Sequence, residues 1–189
     1  MGGMSLGGLG RWALVCVAVR AAERIVRVLE EEPEPAHALA EALVLTGESV
    51  LVGGAVERLE PVTARAETAS RVAARSSVRE LAQAIVLAAQ GALAAAQEDV
   101  SRADVAELTR ESVRRSVSAA AMAAGVAAAR KEASGRVDPY HVAGDLASRA
   151  AALDCEVLLA ADLGDGPVPA PLLNRPCWPA QVFGKSASP

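Results

Sequence analysis

Aromatic residues are almost missing from this chain. Trp12, Tyr140, Trp178 and Phe183 are all it has, and none falls between positions 13 and 139. A core made without large rings buries little area per residue, so stability must come from many close helix contacts. Lysine is nearly absent as well: Lys131 and Lys185 are the only examples, and no segment carries an excess of basic charge. That excludes the electrostatic footprint of a nucleic-acid binder, and no nucleic-acid partner is expected. Cysteine is sparse, odd in number and widely spaced, at Cys16, Cys155 and Cys177. A disulfide framework does not fit that pattern, which points to a reducing, cytoplasmic compartment.

Proline is absent from 62 to 138, so nothing there interrupts a helix. Long hydrophobic runs are also lacking. The uncharged stretch Leu81 to Gln97 comes closest, but it contains Gln83, Gln90 and Gln97 and is largely alanine. It reads as a buried helix of a soluble bundle, not a membrane span. At the N-terminus the apolar run Trp12 to Val19 is short and leads directly into a charged helix, so no signal sequence is expected.

What the chain has in abundance is alanine, 43 of its 189 residues. Alanine is the strongest helix former, and apolar residues recur here with helical spacing. With arginine far in excess of lysine, the composition is that of a GC-rich bacterial genome. The expected architecture is all-α: an alanine-rich bundle of about six helices with a proline-rich C-terminal tail. Residues 1–10 form a flexible Gly-rich leader, 11–163 the bundle, and 164–189 the extended tail.

The first helix is expected from Arg11 to Glu32, with Arg20, Glu23, Arg24, Arg27 and Glu31 on its wet side and Pro33 and Pro35 as its stop. A second spans Ala36 to Thr46, with Gly47 placed to close it. Ser49 to Leu59 reads as a helix weakened at Gly53-Gly54, and Pro61 suits the first turn of a helix to Arg75. Ser77 and Glu80 match a capping box for a helix from Val78 to Glu98. Ser101, with Asp104 three residues on, caps the next, which runs to Ala133. Asp138-Pro139 opens the last, Tyr140 to Ala161. The alanine-rich pair between Arg79 and Lys131 is expected to form the centre of the bundle.

Chemistry-bearing residues are few. His141 and Asp145 lie one turn apart with Asp138 nearby, but His37 is the only other histidine, too few ligands for a metal site. A Cys–His nucleophile pair would need Cys16 or Cys155, both on apolar helix faces, or Cys177 in the tail. No catalytic residues, cofactor or metal are assigned. The acidic run Glu30, Glu31, Glu32 and Glu34 sits at a helix C-terminus, where the dipole disfavours it and something basic is expected nearby. Together with Trp178 and Phe183 of the tail, these acids are the candidate protein-binding residues. Rows of small residues (Ala88, Ala92 and Ala96; Gly91 and Ala95; Ala121, Gly125 and Ala129) would serve either packing within the bundle or a homodimer seam.

Residues 21–48 resemble the opening of a helical family of predicted immunity proteins from bacterial polymorphic-toxin loci, the immunity-protein-five-like group. The residues that carry this are Ala22-Glu23-Arg24-Ile25, Val28-Leu29-Glu30, Pro33, Pro35, Ala38, Glu41-Ala42 and Gly47-Glu48. The resemblance implies a cytoplasmic protein that binds and neutralises a cognate toxin without catalysis. Three readings of function follow: a non-catalytic protein-interaction module, which the resemblance would make an immunity protein; a self-associating structural protein using the small-residue faces; and an enzyme or ligand binder without a readable motif.

Overall fold

A computed structural model describes residues 6–130 and 138–174. All regular structure among the described residues is helical. The helices are α1 (Arg11–Glu23), α2 (Pro33–Val52), α3 (Leu59–Val72), α4 (Ser76–Ala95), α5 (Arg102–Arg130), α6 (Pro139–Ala160) and the single turn α7 (Ala170–Leu173). A 3-10 segment, Val26–Glu31, joins α1 to α2.

The centre is α1. It packs against α2, α4, α5 and α6, and every residue from Trp12 to Ala22 is buried. A helix with an apolar surface all round belongs inside. α4 and α5 pack along each other and both lie against α1, and α4 also reaches α2 and α3. The wet face expected on the first helix is therefore wrong for Arg20, which is buried, and for the Arg24 side chain, which is nearly so.

That helix is also shorter than expected. It stops at Glu23, where Ile25 leaves helical geometry at φ −121°. β-Branched Ile25, Val26 and Val28 lower helix propensity, and three glutamates at a helix end would oppose its dipole. The tighter 3-10 winding buries both Val28 and Leu29.

α2 is longer than expected. Pro33 and Pro35 lie in its first turn, where their missing N–H groups cost nothing, and Gly47 is internal. The closing role falls to Gly53, left-handed at φ 67°. The capping box at Ser77 does not form: α4 starts at Ser76 without a side-chain cap, and Glu80 pairs with Arg115 of α5 at 2.9 Å. The caps of α5 and α6 do form. Asp104 N donates to Ser101 Oγ at 3.2 Å, and Tyr140 N donates to Asp138 Oδ1 at 3.0 Å.

Both ends of the described chain are more tightly bound than expected. Leu6 and Leu9 lie in the core, so the flexible leader drawn over 1–10 does not extend that far. Gly10 runs against the backbone of Gly164, and Arg11 N donates to Asp165 Oδ1 at 2.7 Å. From there the chain crosses α2 as a strap. Val168 N donates to Val50 O at 3.0 Å, and Val168 and Leu173 are buried. The first part of the expected tail thus belongs to the packed unit, because its apolar residues Val168 and Leu173 complete the core.

Candidate functional site

The acidic run lies where the 3-10 segment passes the turn between α3 and α4. Glu31 Oε2 pairs with Arg75 Nη1 at 2.7 Å. Glu32 accepts from the backbone N–H groups of Ala74 at 2.9 Å and Arg75 at 2.6 Å. The basic group expected near the run is therefore the chain's own Arg75. Glu30 and Glu34 remain exposed. Two of the four carboxylates anchor the segment and two are displayed by it. Beside this anchor opens a groove of about 790 Å³, with Glu31, Arg75, Ser76 and Ser77 on one side and Met122 and Val126 of α5 on the other. Trp178, Phe183 and Cys177 lie outside the described residues.

α2 continues from the acidic run and presents Glu34, His37, Ala40, Val44, Glu48, Leu51 and Val52 to solvent. Val44 is 60 % and Val52 62 % exposed, large values for apolar side chains. Glu41, on the edge of this face, is held towards α3 by Arg58 and by Arg65, the latter at 2.9 Å.

The strongest concentration of charge is buried. Asp154 of α6 accepts from Arg20 Nε at 3.0 Å and from Arg24 Nη2. Arg20 Nη1 also donates to the carbonyls of Leu173 at 2.6 Å and Leu172 at 3.3 Å, which ties the strap to α1. Arg24 Nε and Nη1 are buried without a hydrogen-bond partner among the described residues. Glu23 stands beside this cluster. Burial raises its carboxyl pKa, against the opposing pull of Arg20 and Arg24. Two guanidiniums sharing one carboxylate inside a small domain is an arrangement that positions helices and is costly to disrupt. It was missed because Arg20 and Arg24 look like surface residues. The available signal was Asp154 itself, which shares the inward stripe of α6 with Ala150, Ala151 and Leu158.

Cys16 and Cys155 are free, buried thiols, each pushed up to about 12, chiefly by burial. Both stay protonated at neutral pH, which removes the thiolate that nucleophilic chemistry needs. The histidines are elsewhere. His37 is exposed on α2, and His141 is 80 % exposed, 3.6 Å from Asp138 and edge-on to Tyr140. Among the described residues, the buried thiols and the exposed imidazoles do not come together. No group of three His, Cys, Asp or Glu residues suited to a metal ion occurs among the described residues. None of the described helices is long and apolar enough to cross a membrane.

The small-residue rows turn only partly into the bundle: Ala96 and Ala129 are exposed. Ala88, Gly91 and Ala92 are buried, and a Cβ added at Gly91 would meet Val15 of α1 and Leu108 of α5 at 3.9 Å. A Cβ added at Gly125 of α5 would lie 3.8 Å from the Tyr140 ring of α6. These rows let helix axes approach within the chain.

No protein-family model matches the chain, and neither a curated protein nor a solved structure shows significant similarity to it.

Proposed function

We propose that this protein is a non-catalytic module that binds another protein, acting in the cytoplasm, with a cognate toxin as the partner. The observation that carries this reading is the division of labour in the acidic run. Glu31 and Glu32 fix the segment to Arg75 and to the α3–α4 turn, while Glu30 and Glu34 face solvent. A charged surface held in place before binding avoids much of the ordering cost of association. It also favours a partner of opposite charge and speeds encounter with it. The toxin assignment rests on the resemblance carried by residues 21–48, which includes this segment. The free thiols of Cys16 and Cys155 accord with a reducing compartment. The alternative, self-association through small-residue faces, draws less support from α4, where Ala88, Gly91 and Ala92 pack inside the bundle, than from α5, where Ala129 is exposed.

Co-expression with the product of the neighbouring gene tests the proposal. A complex that survives purification, together with relief of that product's toxicity, supports it. A neighbouring product that neither binds nor harms cells would sink the toxin assignment.

A further inference from the structure

We infer that the solvent face of α2 receives a basic amphipathic helix of the partner. This rests on the reading of the chain as a protein-binding module and names the chemistry of what it binds. The twenty residues of α2 include no lysine or arginine, and their three acids, Glu34, Glu41 and Glu48, recur every seventh position. The exposed positions Glu34, His37, Val44, Glu48 and Leu51 follow the three-and-four spacing that places residues in one stripe along a helix. Arg58 and Arg65 draw Glu41 aside, so the stripe shows Val44 between two unmasked carboxylates, with Leu51 and Val52 at its far end. The acid Glu30 continues the same charge beyond the N-terminus of α2.

Charge selects the occupant. A second copy docking face to face would set α2 against α2, carboxylates against carboxylates, with no guanidinium or ammonium on either helix to answer them. Nucleic acid and anionic bilayers carry the same sign as the face and are repelled. A helix with leucine or valine along one seam and lysine or arginine at its flanks satisfies both features: it covers Val44, Leu51 and Val52 and pairs with Glu34 and Glu48.

The test uses the full chain and two labelled synthetic helices about three heptads long, one of Leu/Lys and one of Leu/Glu pattern. Fluorescence anisotropy should show binding of the basic helix and not of the acidic one, weakening as salt rises. Val44→Asp should weaken that binding about tenfold. The pair Glu34→Lys and Glu48→Lys should reverse the preference between the two helices. Circular dichroism and thermal melts of each variant verify that the bundle is intact, as expected for exposed positions. Unchanged affinity in these variants would overturn the inference, because the basic helix would then be binding elsewhere. So would a dimer, seen by sedimentation, that Val44→Asp dissociates, since the occupant would be a second copy. If the partner isolated by co-expression still binds the Val44→Asp chain, the binding-module reading stands and only this surface is wrong. If neither helix nor partner binds, both fall.

Discussion

Arg20 and Asp154 meet at 3.0 Å across the contact between α1 and α6, with only 3 % and 7 % of their side chains exposed. Arg24 shares the same carboxylate. Removing the carboxylate would take away the acid that both guanidiniums share and leave only the half-buried Glu23 beside them. Asp154→Ala should therefore destabilise the protein by about 3–5 kcal/mol, the usual cost of breaking a buried pair. Chemical denaturation of the variant measures this. Combining it with Arg24→Met should recover part of the loss, because one orphaned charge leaves with its donors. A loss below about 1 kcal/mol, the size expected of an exposed ion pair, would mean that water reaches the cluster.

Gly10 has no room for a side chain. A Cβ there would lie 1.5 Å from the carbonyl oxygen of Gly164. Gly10→Ala must push the strap away from α1 and should cost about 1–3 kcal/mol or more, as overpacking does. Gly54 is the matched control. Nothing lies within 4 Å of its hypothetical Cβ, so Gly54→Ala should be near neutral in the same thermal melt.

The acidic run should separate into two classes of variant. Glu32→Ala removes the acceptor for two solvent-accessible backbone N–H groups and should cost about 0.5–1.5 kcal/mol in stability. Glu30→Lys with Glu34→Lys touches only exposed positions and should leave stability within about 0.5 kcal/mol, while weakening partner capture. Melting temperature and co-purification, read side by side, distinguish the two. Equal effects of both variants on both readouts would remove the division of labour proposed for this segment.

The thiols make an alkaline prediction. Burial raises Cys16 and Cys155 from the ordinary 9.0 to about 12. Groups raised in the folded state contribute stability that is fully present below their unfolded pKa and lost as pH rises through the folded value. Stability should therefore fall between pH 9.0 and about 12, and less so when both cysteines are replaced by alanine. In a Cys177→Ser background, neither remaining thiol should react with a disulfide reagent at neutral pH until denaturant is added. Rapid labelling of the native chain would contradict the burial of both groups.

The parts of the fold that were legible are those whose causes are local. Ser101 with Asp104 and Asp138 with Pro139 signal helix starts within a few residues, and both caps form as read. The all-helical class follows from alanine content and spacing. The role of α1 was not legible, because Arg20 and Arg24 are polar by type and buried only through an acid on α6. Ser77 and Glu80 show the reverse: the local signal for a capping box was present, but Glu80 is drawn across to Arg115. The acidic run's place at a helix end allows for something basic nearby, yet nothing in the spacing shows that Arg75 supplies it. The groove beside it combines residues from three separate stretches of chain, which periodicity cannot bring together.

The strap sets the timing of folding. α1 precedes the other described helices, but the carbonyls that accept from Arg20 belong to Leu172 and Leu173, 152 and 153 residues further on. Its counter-ion Asp154 is also made late. α1 therefore emerges from the ribosome with its valines uncovered, and its contacts with Asp154 and the strap must wait until residues 154–173 have been synthesised. Contacts of such long sequence separation slow folding, and exposed apolar surface invites aggregation meanwhile. Truncation before Val168 should thus affect soluble yield more than the removal of a few surface residues would suggest, and nascent chains of this protein should depend on chaperones until the strap closes.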